Sequence, residues 1–489
     1  MNCKTIKADY KLGKIPFRLL FLSTGLKNGL IVFVLFLSVL NGCRDSDDFS
    51  TDKNLTLAFS ENMISFDTVF SSIGSATKHF KIYNRNGNSL RIETIELVNA
   101  SKSGFRMNID GGKGTKLTNV EILKKDSLYG FVEVTVDPAN SKNPLLIRDS
   151  IRFVVNGNTQ YVRLEAVGQD VYIWKNKTIK EDTILTGKKP FLIYDSLVVS
   201  KDVTLSIKEG VTFFMKSNAS VKINGTLKAG GTVEAPIIFR GSRFDNIEAD
   251  IPYGNVPGQW DGITFHSGSY DNSLEYVVIK NAAKGITFSE SDAGPKKAVL
   301  KNIIVQNTSG YGLQAVNCNI DVENGLFANS GKNVVSLSGG EYSFLHCTLA
   351  NYYRWSARQT ESLLLNNTYG DGLFPLTKCD FTNSIIYGSV SNEILLKGIS
   401  SIPFVYGFRN CLIKGSQTSD NHFINATWNS DPQFKDLNSA GIYSYNFELQ
   451  SSSPAVGNAD KAYSSLVPLD LKGKPRLNDS GPDIGCYEN

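Results

Sequence analysis

Leu274-Glu-Tyr276-Val-Val278-Ile279-Lys-Asn281 is the first of six segments that align without gaps. The others are Leu300-Lys-Asn302-Ile-Ile304-Val305-Gln-Asn307, Val322-Glu-Asn324-Gly-Leu326-Phe327-Ala-Asn329, Phe344-Leu-His346-Cys-Thr348-Leu349-Ala-Asn351, Phe381-Thr-Asn383-Ser-Ile385-Ile386-Tyr-Gly388 and Phe408-Arg-Asn410-Cys-Leu412-Ile413-Lys-Gly415. Their starts lie 26, 22, 22, 37 and 27 residues apart. A unit this short cannot bury its own apolar face, so successive units must stack. Period-two alternation places the first, third and fifth positions on one strand face, where they read apolar, mostly Asn, mostly apolar. An inward amide is costly alone. Repeated at one height in successive coils it bonds to the next, which predicts a structural ladder of Asn302, Asn324, His346, Asn383 and Asn410. The Asn or Gly that closes each unit suits a turn in the left-handed backbone region.

These features resemble the right-handed parallel β-helix of the pectate-lyase type. Val203-Thr-Leu205-Ser-Ile207, Val221-Lys-Ile223-Asn224-Gly225 and Pro236-Ile-Ile-Phe239 read as earlier coils, and Gly258-Gln-Trp260-Asp261-Gly262 resembles a coil of bacterial proteins of this class. Asp431-Pro432, Phe447-Glu-Leu449, Ser453-Pro454-Ala455, Lys474-Pro475-Arg476 and Asp483-Ile484-Gly485-Cys486-Tyr487-Glu488 resemble the end segment of β-helix lipoproteins of the choice-of-anchor Q type. There the last triplet is usually Ala-Tyr-Glu; Cys486 replaces the Ala. The resemblance covers residues 196–489. It implies a β-helix of about ten coils over 196–430, about 48 Å long at one strand spacing each, and a cap over 431–489 that seals the open apolar end.

Ahead of this, residues 54–170 hold short β-type runs between turn signals. Ile151-Arg152-Phe153-Val154-Val155, then Asn156-Gly157, then Tyr161-Val162-Arg163-Leu164 predicts a hairpin, since Asn-Gly supplies positive φ. His79 to Asn84, Leu90 to Val98 and Tyr129 to Val136 are further strand candidates. Strands at this spacing suggest an immunoglobulin-like sandwich, and the order Ile64-Ser-Phe66-Asp67-Thr68-Val69-Phe70, then Lys81-Ile-Tyr-Asn84, then Leu164-Glu-Ala166 and Gly168 resembles bacterial immunoglobulin-like modules near surface anchors. Residues 171–195 are expected as a linker, so the whole chain reads as all-β.

At the start, six basic residues from Lys4 to Lys27 precede the apolar run Leu30 to Leu40 and Asn41-Gly42-Cys43. A spanning helix needs about 20 apolar residues, so this run reads as a signal-peptide core. Leu40-Asn41-Gly42-Cys43 resembles the lipobox of bacterial lipoproteins, which implies removal of 1–42 and acylation of Cys43, with 43–53 as an acidic tether. Arg44-Asp45-Ser46-Asp47-Asp48 resembles the tag that places some Gram-negative lipoproteins on the outer face. The expected address is therefore the outer membrane, lipid-anchored and facing the cell exterior.

The formal net charge is +4, and much of the basic excess lies in the leader. A near-neutral body without a Lys/Arg run excludes nucleic acid as a partner, because phosphate binding needs clustered cations. Five cysteines remain after Cys3 and Cys43, at 318, 347, 379, 411 and 486. Their odd number and wide spacing fit neither a disulfide framework nor a zinc site. No metal or cofactor is expected.

Candidate chemistry is thin. Only four His exist. Glu275, Lys301 and Glu323 share the second position and form an acid-base-acid stripe if the coils are in register. Glu275 and Glu323 would then lie about 9.6 Å apart, near the separation of inverting glycosidases, but Lys301 between them would hold both ionised when one must keep its proton. Pectate-lyase chemistry, as the resemblance implies, uses calcium-binding carboxylates plus a base, and the aligned units show no column of Asp or Glu. Asp245, Glu248 and Asp250 cluster in one acidic loop, whose ordinary role is solvation. The 37-residue interval offers Tyr352, Tyr353, Trp355, Arg358 and Glu361, with Asp371 beyond, as a loop whose rings and charges could contact a sugar. The alternative role of these rings is to cover the flank of the coils. Asp-Ser/Thr-apolar triplets such as Asp67-Thr68-Val69 resemble a bacterial O-glycosylation motif.

Together these features read as a non-enzymatic surface module that binds polysaccharide or serves as structure. A polysaccharide lyase or glycoside hydrolase is the alternative, and an adhesin or stalk that docks partner surface proteins is the second alternative.

Overall fold

The computed structural model describes residues 48–138, 144–248, 250–478 and 481–489. The apolar leader, Cys43 and most of the acidic tag fall outside them. With 51% strand and 3% helix the chain is nearly all-β. Among the described residues no helix is long and apolar enough to cross a membrane.

Two five-stranded sheets form the first unit. The expected hairpin is present: Leu145–Val155 pairs antiparallel with Asn158–Gln169, and Asn156 and Gly157 take φ of 50° and 80°. Alternation along these strands buries Ile151, Phe153, Val155, Val162 and Leu164. They face Phe80, Phe105 and Val132 from the other sheet in one core. Met63–Phe70 joins the hairpin sheet parallel to Asn158–Gln169.

The remainder is dominated by a 26-stranded, all-parallel sheet, an arrangement compatible with a parallel β-helix. The six sequence rows lie in direct register: Leu274 pairs with Leu300, Leu300 with Val322, Val322 with Phe344, Phe344 with Phe381, and Phe381 with Phe408. Stacked rings follow. Phe344, Phe381, Phe408 and Phe423 have successive centroids 4.6, 5.3 and 4.8 Å apart, close to the strand spacing.

The inward amide ladder needs correction. Every third-position residue has a left-handed backbone: Tyr276 47°, Asn302 52°, Asn324 50°, His346 52°, Asn383 50° and Asn410 49°. The chain therefore turns a corner there, and the alternation restarts after it. Inward positions are the first, fourth and sixth, as in Leu274, Val277 and Ile279, all fully buried in the same core. Asn recurs at the third position because it tolerates this backbone better than other side chains with a Cβ. Cys347 and Cys411, at the fourth position, are buried packing groups. Of the closing residues, Asn281, Asn307 and Asn329 are left-handed. Asn351 instead is buried and brackets the Ser330 peptide, accepting from its N at 3.1 Å and donating to its O at 3.0 Å.

Residues 171–195 are not a linker. Tyr172–Ile179 pairs parallel with Phe191–Val199, and Ile179, Leu185, Phe191 and Ile193 belong to the coil core. The apolar alternation of Phe191 to Val199 continues that of later rungs, so the sheet begins where the sandwich ends. Phe70 of the sandwich meets Phe214 and Phe244 at 5.2 and 5.9 Å and closes the joint.

The C-terminal segment also lies elsewhere than expected. It packs along the flank: Phe434, Phe447, Leu449, Ile484 and Cys486 cover the outward Leu326, Ile385 and Leu412. The fifth position of the repeat is apolar but points outward, and this cover removes it from water. The corner amides hold the segment. Asn324 Nδ2 donates to Asn302 Oδ1 at 2.9 Å and to the Leu469 carbonyl at 2.8 Å. Arg476, fully buried, donates to Asn324 Oδ1 at 2.8 Å, to the Gly485 carbonyl at 3.1 Å and to Glu488 at 3.1 Å. His346 Nδ1 lies 3.3 Å from the Gly485 carbonyl, and Asn383 Nδ2 lies 3.1 Å from His346 Nε2.

Candidate functional site

The aromatic loop is packed inward rather than offered to solvent. Tyr352 and Tyr353 are 9% and 8% exposed. Tyr352 lies 6.3 Å from both Phe434 and Phe447, its carbonyl accepts from the Tyr445 hydroxyl, and burial pushes its phenol upward. Trp355 stacks on Tyr443 at 4.1 Å. Arg358 turns into the protein and pairs with the buried Glu393, which also accepts from the Ser362 N and Oγ at 3.0 and 2.6 Å. Glu361 is tied through its carbonyl to Asn333. Asp371 is exposed at the turn between Thr368–Tyr369 and Gly372–Leu373. The rings cover the flank, and the guanidinium and Asp371 face different surroundings, so these six residues do not form one contact surface.

The charge stripe is in place. Glu275 pairs in register with Lys301 and Lys301 with Glu323, and the Lys301 ammonium sits 2.9 Å from Glu323. Lys301 engages one of the two carboxylates, as a structural ion pair would. In the acidic loop Asp245 is taken by Arg243, and among the described residues no three His, Cys, Asp or Glu side chains converge as metal ligands. All five described cysteines are buried and free. Burial pushes the Cys318 thiol up to about 11 and those of Cys411 and Cys486 up to about 12, so none is poised as a nucleophile.

A polar groove of about 500 Å³ opens lower on the same outer face. Its floor follows from the register. Phe381, Phe408 and Phe423 point inward, so their neighbours Asp380, Thr382, Gly407 and Arg409 point outward. Gly407 leaves a gap, since a Cβ there would stand 3.2 Å from Asp380 Oδ1. Tyr463 and Leu466, from and just beyond the short helix Lys461–Ser464, form one wall. Arg409 lies 5.8 Å from the Tyr463 ring centre, and no carboxylate among the described residues pairs with it. Lys378 stands 3.8 Å from Asp380.

The opposite wall is a bonded trio. Tyr406 and His422 stack at 4.3 Å with 24° between their planes. Asp420 holds both, accepting from the Tyr406 hydroxyl at 3.1 Å, from the His422 amide at 3.0 Å and from His422 Nδ1. These bonds, led by the His422 amide, hold the Asp420 carboxyl below its usual value. Burial and the Asp420 charge push the Tyr406 phenol up to about 12. Asp420 takes Nδ1 as its donor, and among the described residues no side chain or backbone group bonds to Nε2. The sequence signal was an Asp-x-His pair one coil beyond the last aligned row, too short to single out.

No family model matches the chain, and no curated protein matches it. Solved structures give low likenesses. The catalytic domain of Agl-KA is 9% identical over 72% of this chain and 86% of that one, with a TM-score of 0.20. A family 123 glycoside hydrolase from Clostridium perfringens is 8% identical over 24% of this chain and 30% of that one, with a TM-score of 0.18. The VesB protease of Vibrio cholerae is 11% identical over 23% and 31%, with a TM-score of 0.17. The chain thus spans about a third of the length of these last two, and none of the three bears on what it does.

Proposed function

We propose that the chain is an exported, lipid-anchored surface protein whose groove binds an anionic carbohydrate. In this reading the leader is 1–42, Cys43 carries the lipid, and an immunoglobulin-like sandwich presents a right-handed parallel β-helix of about ten coils that starts near residue 172. The observation that carries the binding proposal is the unpaired Arg409 on the groove floor beside the stacked pair Tyr406 and His422. A ring face suits the apolar face of a sugar, and a free guanidinium suits its carboxylate. Titration of the purified protein with oligogalacturonate and with a neutral oligosaccharide of equal length tests it. The acidic sugar binds, and Arg409→Ala weakens it about tenfold or more, the worth of one charged hydrogen bond. No binding of the acidic sugar, or an unchanged affinity for it in Arg409→Ala, contradicts the proposal.

The alternative is a lyase, favoured by one observation: Asp420 orients His422 so that Nε2 is free to act as a base. In that reaction Nε2 takes the proton beside the sugar carboxylate, the adjacent C–O bond breaks, and an unsaturated sugar is released with the leaving oxygen protonated. Unsaturated product accumulating with the wild type and lost in His422→Ala establishes the lyase over the binder.

A further inference from the structure

We infer that the sandwich carries a second carbohydrate site, for a hydroxyl-bearing sugar ring, on the outer face of the strands Lys78–Tyr83, Ser127–Val134 and Phe105–Ile109. Alternation along the central strand buries Leu128, Val132 and Val134 and turns Tyr129 and Phe131 outward, where they are 45% and 39% exposed. Their rings lie 6.2 Å apart and within 21° of parallel. His79, opposite Phe131 in register, completes the patch at 6.4 Å from it. Isolated exposed rings are ordinary, but three adjoining ones on a central sheet position mark a recognition surface.

Two further observations identify the occupant. A cavity of about 600 Å³ adjoins Phe131, within the range of small-ligand sites. In its wall the side-chain oxygen of Asn108, opposite Phe131 on the other side, is buried and accepts no hydrogen bond. A buried acceptor without a donor asks for a ligand that brings one. Arg106 is already committed to Glu133 at 2.8 Å and to Thr135, while Lys113 in the same wall is left to donate to a sugar hydroxyl. A sugar ring supplies what remains: an apolar C–H face for Phe131 and a hydroxyl proton for Asn108, beside a Tyr129 ring that the Lys81 ammonium already faces at 4.8 Å. A protein docking on this flat face would leave the cavity and its acceptor unfilled.

The test uses the purified full chain and calorimetric titration with maltohexaose, cellohexaose and mannohexaose, three neutral sugars. At least one binds. Phe131→Ala and Asn108→Val each weaken it tenfold or more, while Arg409→Ala in the other groove leaves it unchanged. Phe131 and Tyr129 are exposed, so circular dichroism of Phe131→Ala and Tyr129→Ala stays that of the wild type. Three outcomes overturn the inference: no binding of any of the three sugars, binding that Phe131→Ala and Asn108→Val leave intact, or binding lost only in Arg409→Ala. Self-association abolished by Phe131→Ala, without sugar binding, also overturns it and assigns the face to a second copy.

Discussion

Two columns of side chains run along the coils a few residues apart, and they are stabilised in opposite ways. The inner column of Phe344, Phe381, Phe408 and Phe423 is complete in itself, because each ring is covered by the ring of the next rung. The corner column of Asn302, Asn324, His346, Asn383 and Asn410 is not. Its side chains bond to one another only in part, and residues from Asp460 to Gly485 of the C-terminal segment supply further partners to Asn324, His346 and Asn383. Apolar repetition therefore builds the stack, and polar repetition supplies a track on which another segment docks.

The largest expected effect breaks the inner column. Phe381→Ala removes a ring between two others and costs about 3–5 kcal/mol, seen as a loss of the cooperative thermal transition of the coils. Next is the track. Arg476→Met removes the guanidinium that faces the buried Glu488 carboxylate and costs about 3 kcal/mol. Its signature is local: proteolysis or hydrogen exchange opens residues 431–489 while the coils stay protected. Adding Glu488→Leu recovers part of the loss, since a buried carboxylate without its guanidinium is the main cost.

His346 gives the track a pH dependence that the inner column lacks. Burial, aided by Arg476, holds the imidazole pKa well below its ordinary value. The folded state thus stays neutral while the unfolded state takes up a proton below about pH 6.5. Stability is complete above that pH and falls as pH drops, by about 1.4 kcal/mol per unit for this one proton. His346→Asn, matching the residue of neighbouring rungs, flattens the slope between pH 6.5 and 5, before the carboxylates titrate. The smallest effect is at the surface stripe, where Lys301→Ala removes a half-exposed ion pair and costs about 0.5 kcal/mol or less.

Register was legible in the sequence because side-chain type repeats where strands stack: the six rows became neighbours residue for residue. The side to which each position points was not. One left-handed residue at Asn302 and its equivalents shifts the phase, and an alternation rule cannot register a corner. The same error hid the flank, since the outward fifth position reads as core until Phe447 and Ile484 cover it. The aromatic loop misled because Tyr352 looks exposed in a long interval, whereas its partners Phe447 and Tyr445 lie about a hundred residues away. Tyr406, Asp420 and His422 come together only across adjacent rungs, so no local motif announced them.

The claim on which both the track and the groove depend is direct stacking of matched rows. Oxidation of the double variant Thr382→Cys with Arg409→Cys, followed by peptide mapping, tests it at the groove floor itself. Adjacent rungs bring these positions within disulfide reach, so the cross-link forms rapidly, while Leu345→Cys with Arg409→Cys, two rungs apart, remains reduced. A cross-link in the second pair, or none in the first, contradicts the account.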